Sequence, residues 1–100
     1  MHLFLGQRLH ERSKLLETGG NKDQPFEIGT LESAQVQLRD PAASRQHALV
    51  EPFIRGGTLI YNEIISKHGD VLINNTKIKR QPLEHGDVIR MSETVILVGF

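Results

Sequence analysis

Cysteine is missing from the 100-residue chain, and that absence removes disulfides, thiolate zinc sites, iron–sulfur clusters and any cysteine nucleophile. Long apolar runs are missing too. The longest is Val95–Val98, far short of the ~20 residues that cross a bilayer. Gln7, Arg8, His10, Glu11 and Arg12 interrupt the N-terminus with polar groups, so no signal-peptide hydrophobic region forms. An intracellular chain with no membrane partner is the expectation. There is no charge excess of either sign: 12 basic side chains meet 12 acidic ones, which argues against direct binding to nucleic acid or to a membrane surface. The common catalytic and nucleotide signatures, G-x-S-x-G, the P-loop, H-E-x-x-H and G-x-G-x-x-G, do not occur. The five histidines, His2, His10, His47, His68 and His85, are scattered without metal-ligand spacing. No catalytic residue, metal or cofactor is therefore assigned. Lys77, Lys79 and Arg80 read as a solvated loop cluster, and Asn74-Asn75-Thr76, although a glycosylation triplet, reads as a turn.

What is present is frequent punctuation. Gly19-Gly20-Asn21, Gly29, Asp40-Pro41, Gly56-Gly57, His68-Gly69-Asp70, Asn74-Asn75 and His85-Gly86-Asp87 mark turns. Between them lie short runs rich in Val, Ile and Leu, several alternating with polar residues, as in Val36-Gln37-Leu38 and Val88-Ile89-Arg90-Met91. Short strands at this spacing are the pattern of a sandwich or barrel. No stretch carries a helical apolar face over three turns. Leu9–Glu17 comes nearest, and fits a hairpin with a charged turn at Glu11–Lys14 better. The length suits one domain, residues 1–100. Nine or more strands in two antiparallel sheets are expected, with Ile28, Val36, Leu38, Ala48, Val50, Leu72, Ile89 and Leu97 in the core.

The order of motifs from Phe26 onward narrows this further. Ile28-Gly29 is followed by Asp40-Pro41 and then, 15 positions after Gly29, by Ser44-Arg45-Gln46-His47-Ala48. Ser66-Lys67-His68-Gly69-Asp70, Ile73-Asn74-Asn75 and Leu83-Glu84-His85-Gly86-Asp87-Val88-Ile89 come next, then the closing strand Val95–Val98. In this order and spacing the chain resembles the forkhead-associated (FHA) domain, an antiparallel β-sandwich of two sheets that reads phosphothreonine. The chemistry is intelligible: a phosphate with about −1.5 to −2 charges needs several donors converging from loops. The resemblance implies that Ser44 donates its hydroxyl to phosphate, that Arg45 adds charge-assisted donors, and that His47 braces the loop without touching ligand. Gly86-Asp87 is assigned a turn and no ligand role.

Two positions depart from the pattern. Thr30 stands where the family places a phosphate-binding Arg, and His68 stands where it places an Asn that fixes the ligand backbone. Losing one charge-assisted hydrogen bond of ~1.5–3 kcal/mol weakens binding about 10- to 100-fold. Lys67 offers a replacement cation without the bidentate fork of Arg, and Asp70 would repel phosphate if it faced the pocket. The candidate phosphopeptide site is thus a degenerate one made of Thr30, Ser44, Arg45, Lys67 and His68. The leading expectation is a non-enzymatic protein–protein interaction module, serving homodimerisation or scaffold assembly. The alternative is a working phosphothreonine reader using Ser44, Arg45 and Lys67. Candidate contact surfaces are the Leu3–Leu5 strand, Phe53-Ile54 and Val95–Phe100; the first and last of these also fit pairing with each other inside the sandwich. The opening Leu3-Phe4-Leu5-Gly6 looks like FHA domains of nuclear DNA-damage and checkpoint scaffolds, which implies a nuclear setting.

Overall fold

The computed structural model describes residues 2–6, 14–17 and 24–99. They form eleven strands and no helix. One sheet holds β1 (His2–Gly6), β2 (Lys14–Glu17), β7 (Val71–Ile73), β8 (Thr76–Ile78), β10 (Val88–Met91) and β11 (Thr94–Gly99) in the order β2-β1-β11-β10-β7-β8. The other holds β3 (Phe26–Gly29), β4 (Val36–Gln37), β5 (Ala48–Arg55), β6 (Thr58–Ser66) and β9 (Arg80–Pro82) in the order β4-β3-β5-β6-β9. The expected all-β sandwich of two sheets is present. It is not wholly antiparallel, because β3 and β4 pair in parallel, Ile28 opposite Val36.

Alternation decides which side chains enter the core. In β10, Ile89 and Met91 are buried while Val88 and Arg90 are exposed, as a period of two requires. Ile28, Val36, Ala48, Val50 and Ile64 from one sheet, with Leu38 just past β4, meet Val71, Ile73, Ile89, Met91, Ile96 and Val98 from the other. Leu83 closes the space from the β9–β10 connection. Burying a large aliphatic side chain stabilises by about 1.5–3 kcal/mol, so this layer supplies most of the driving force.

Two expected core residues need correction. Leu97 is 44% exposed and Leu72 is half-buried. In β11 the inward positions are Thr94, Ile96 and Val98. The apolar run Val95–Val98 has no polar partner to show its phase, and the pairing of Leu97 with exposed Val88 puts it outside.

The terminal strands pair with each other, His2 opposite Gly99 through Gly6 opposite Val95. β11 thus lies between β1 and β10 and offers no free edge. β2 pairs antiparallel with β1, Phe4 opposite Leu15. That agrees with the expected hairpin, except that Lys14 opens β2 and does not sit in the turn; residues 7–13 lie outside the described part, as does Phe100. Asn74 and Asn75, with φ of 51° and 68°, form the two-residue turn of the β7–β8 hairpin.

Candidate functional site

Strand direction gathers the loops. β3 ends at Gly29, β5 begins at Ala48 and β6 ends at Ser66, and the three are antiparallel neighbours. The segments after β3, before β5 and after β6 therefore emerge at one end of the sheet. Thr30, Ser44–His47 and Lys67–Asp70 all lie in those segments.

The backbone brings them closer. The Thr30 N–H donates to the Ser44 carbonyl (3.2 Å), the Leu31 N–H to Arg45 (3.4 Å) and the His47 N–H to Ile28 (2.9 Å). Gly29 permits this approach: a Cβ there would stand 1.9 Å from the Arg45 carbonyl oxygen, a distance that backbone atoms do not relax.

Four hydrogen bonds join the segment before β5 to the one after β6. Lys67 N–H donates to His47 C=O (3.0 Å) and His68 N–H to Gln46 C=O (3.2 Å). The Ser44 hydroxyl donates to the His68 carbonyl (3.0 Å). The His47 Nε2 donates to the Asp70 carbonyl (2.8 Å), while its Nδ1 accepts from the Ser44 N–H (3.0 Å). An acceptor at Nδ1 and a carbonyl opposite Nε2 fix the neutral Nε2–H tautomer. His47 is buried, and Gly69 lies against it so closely that a Cβ would stand 2.2 Å from Cε1. His47 thus bridges two loops at their bases, where it meets backbone and not solvent.

The loop before β5 is tied a second time. Asp40 is 5% exposed and accepts from the Ala42 N–H, the Glu93 N–H and the Thr94 hydroxyl, each at 3.0 Å. Burial alone would raise its pKa; the hydrogen bonds from Thr94, Ala42 and Glu93 outweigh burial and hold it below the ordinary 3.8. A buried carboxylate stapling this loop to the turn before β11 is not visible in the sequence, where Asp40-Pro41 signals only a turn. Asp87 does the local work expected of it: its carboxylate accepts from the Glu84 N–H (2.7 Å). It also accepts from the Asn74 side-chain amide (3.1 Å).

The five candidate phosphate-site residues, Thr30, Ser44, Arg45, Lys67 and His68, are therefore at one end of the molecule. Arg45, Lys67 and His68 are exposed, and Thr30 and Ser44 half-buried. Neither the Arg45 guanidinium nor the Lys67 ammonium is in an ion pair among the described residues. The Ser44 hydroxyl differs from what the motif implies, since its proton is already given to the His68 carbonyl. Asp70 pairs with Lys77 across 3.3 Å, a partner the sequence does not reveal. Its negative charge is thereby partly offset. No group of three or more His, Asp or Glu placed for a metal occurs among the described residues.

A model of the FHA domain matches residues 26–92. The chain belongs to the FHA domain family. Family members are protein-interaction modules that bind phosphothreonine. Solved FHA structures share the fold. The FHA domain of CT664 from Chlamydia trachomatis is 18% identical, covers 100% of this chain and 98% of its own, and has a TM-score of 0.76. The FhaA FHA domain complexed with the intracellular domain of Rv3910 is 23% identical over 96% of each chain, with a TM-score of 0.72. The yeast Dun1 FHA domain, solved with a doubly phosphorylated peptide derived from Rad53, is 21% identical over 96% of this chain and 70% of its own (TM-score 0.73). No curated protein matches the chain.

Proposed function

We propose that this FHA domain is a non-enzymatic protein-interaction module whose phosphothreonine site is reduced, so that phosphothreonine peptides bind weakly or not at all. The observation that carries the reading is the state of the donors at the loop end. Thr30 brings no charge, and the Ser44 hydroxyl, held by the His68 carbonyl, must leave one acceptor before it can serve a phosphate. That exchange gains little, because one hydrogen bond replaces another. The cations that remain, Arg45 and Lys67, are exposed, so their attraction for phosphate is screened by salt.

Self-association or scaffold assembly is the remaining role of a folded module with a weakened ligand end, and a nuclear protein of DNA-damage response or chromosome maintenance is the setting we infer from the family resemblance of the opening strand. Titration with a phosphothreonine peptide library, against unphosphorylated controls, tests the reading. Half-saturation above ~10 µM for every peptide supports it. A second reading, a phosphothreonine reader built on Ser44, Arg45 and Lys67, is favoured by the two cations left without ion-pair partners. It predicts phosphate-dependent binding at ~1 µM or tighter, lost in Arg45→Ala and Lys67→Ala.

A further inference from the structure

The β5–β6 hairpin reaches away from the loop end. β3 pairs only with residues 48–50 of β5, and β9 only with residues 63–65 of β6, so the rest of the hairpin, closed by Gly56-Gly57, extends past both neighbours. Among the described residues, three of the six exposed large hydrophobic side chains, Phe53, Ile54 and Ile60, sit on it. Phe53 stacks on Tyr61 with ring centroids 4.8 Å apart and planes at 9°, yet remains 42% exposed.

The outer face of this hairpin has an ordered pattern. β5 keeps strict alternation while β6 carries the bulge at Ile60, the residue skipped where the register shifts. Glu51, Phe53 and Arg55 therefore share one face, with the acid and the base each about 7 Å from Phe53 in opposite directions. Tyr61 lies beside Phe53, and Glu63 beside Glu51. Glu63 is already held by Arg80, whereas neither Glu51 nor Arg55 is in an ion pair among the described residues.

A negative group, an aromatic centre and a positive group in line are self-complementary. Two copies related by a two-fold axis running across the strands at the Phe53–Tyr61 row would lay β5 antiparallel over its copy. Phe53 would meet Phe53, and each Glu51 would meet the Arg55 of the other molecule, an isologous contact. A two-fold axis along the strands would instead place Glu51 over Glu63, which Arg80 already holds, and Arg55 over Thr58; with no acid then opposite Arg55, the charges favour the first arrangement. On the other sheet, the exposed Val88, Val95 and Leu97 have Arg90 beside them, and no aromatic pair comparable to Phe53–Tyr61 marks a centre there among the described residues.

We propose that the outer face of the β5–β6 hairpin is a self-association surface for a second copy of this domain, centred on Phe53 and Tyr61 and given its direction by Glu51 and Arg55. The surface rests on the interaction-module reading, supplies its partner, and leaves the phosphothreonine end free. A contact confined to one hairpin face belongs with the small, transient interfaces of under ~1,200 Å², so a dimer with a Kd of about 10–500 µM is expected.

Sedimentation equilibrium up to ~1 mM tests it, a ceiling above the expected Kd range. E51R and R55E, both at exposed positions, should each weaken self-association at least tenfold. An equimolar mixture of the two should form a heterodimer at least tenfold tighter than either variant's self-association, and the double variant E51R/R55E should recover the wild-type constant. Circular dichroism that superimposes on wild type verifies that the variants fold. A wild-type dimer that these charge changes leave untouched overturns this surface while leaving self-association standing. A wild-type protein monomeric throughout overturns self-association itself, together with this surface.

Discussion

Asp40 shows how much one side chain carries here. It is buried, takes three hydrogen bonds and fixes the loop that bears Ser44 and Arg45. Asp40→Ala leaves the Thr94 hydroxyl and the Glu93 N–H facing a void, and should destabilise the domain by about 2–4 kcal/mol in urea unfolding. The pH dependence has a definite sign. Because its folded pKa is depressed, the stability Asp40 contributes is fully present above pH ~4 and is lost as pH falls through the folded value. Unfolding measured between pH 7 and pH 2 should show this acid loss in wild type and a shallower one in Asp40→Asn. Gly69 gives a second test at this scale. Gly69→Ala drives a methyl into the His47 ring, and a destabilisation of about 1–3 kcal/mol is expected by the same method. Neither role is legible from the sequence, since Asp40 meets Thr94 across 54 positions. The family resemblance carried by Gly29, Ser44 and His47 pointed to the segments that meet at the loop end, but not to the backbone partner of the Ser44 hydroxyl.

At the scale of elements, phase is the property that matters. Strand β10 carries one polar residue, Arg90, between Ile89 and Met91, so its inward face could be read directly. Strand β11 is apolar throughout Val95–Val98, and only the pairing of Ile96 with Ile89 and of Leu97 with Val88 shows which half points in. Ile96→Ala should therefore cost about 2–5 kcal/mol and Leu97→Ala under ~1 kcal/mol, measured side by side by urea unfolding. Similar losses for the two would contradict the register. The turns were plainer in the sequence than the strand faces: Asn74-Asn75 and Gly56-Gly57 both close hairpins with positive φ, because few other residues tolerate that geometry. The length of the β5–β6 hairpin was not legible, since Pro52 suggests interruption while the ladder runs on to Arg55 and Thr58, right up to the Gly56-Gly57 turn.

Taken as a whole, the molecule has two ends with different chemistry. One gathers Thr30, Ser44, Arg45, Lys67 and His68 on loops that His47 and Asp40 hold in place. The other projects an aromatic hairpin. A scaffold this well braced keeps its loop end in position whatever side chains stand at Thr30 and His68, which is why substituting those two positions is informative. The most direct test of the reduced site is calorimetric titration of phosphothreonine peptides against wild type and the double variant Thr30→Arg/His68→Asn. The expected result is wild-type binding weaker than ~10 µM, with affinity raised at least tenfold in the double variant, as one regained charge-assisted contact of ~1.5–3 kcal/mol requires. Wild-type binding at ~1 µM or tighter, with no gain on restoration, would contradict it.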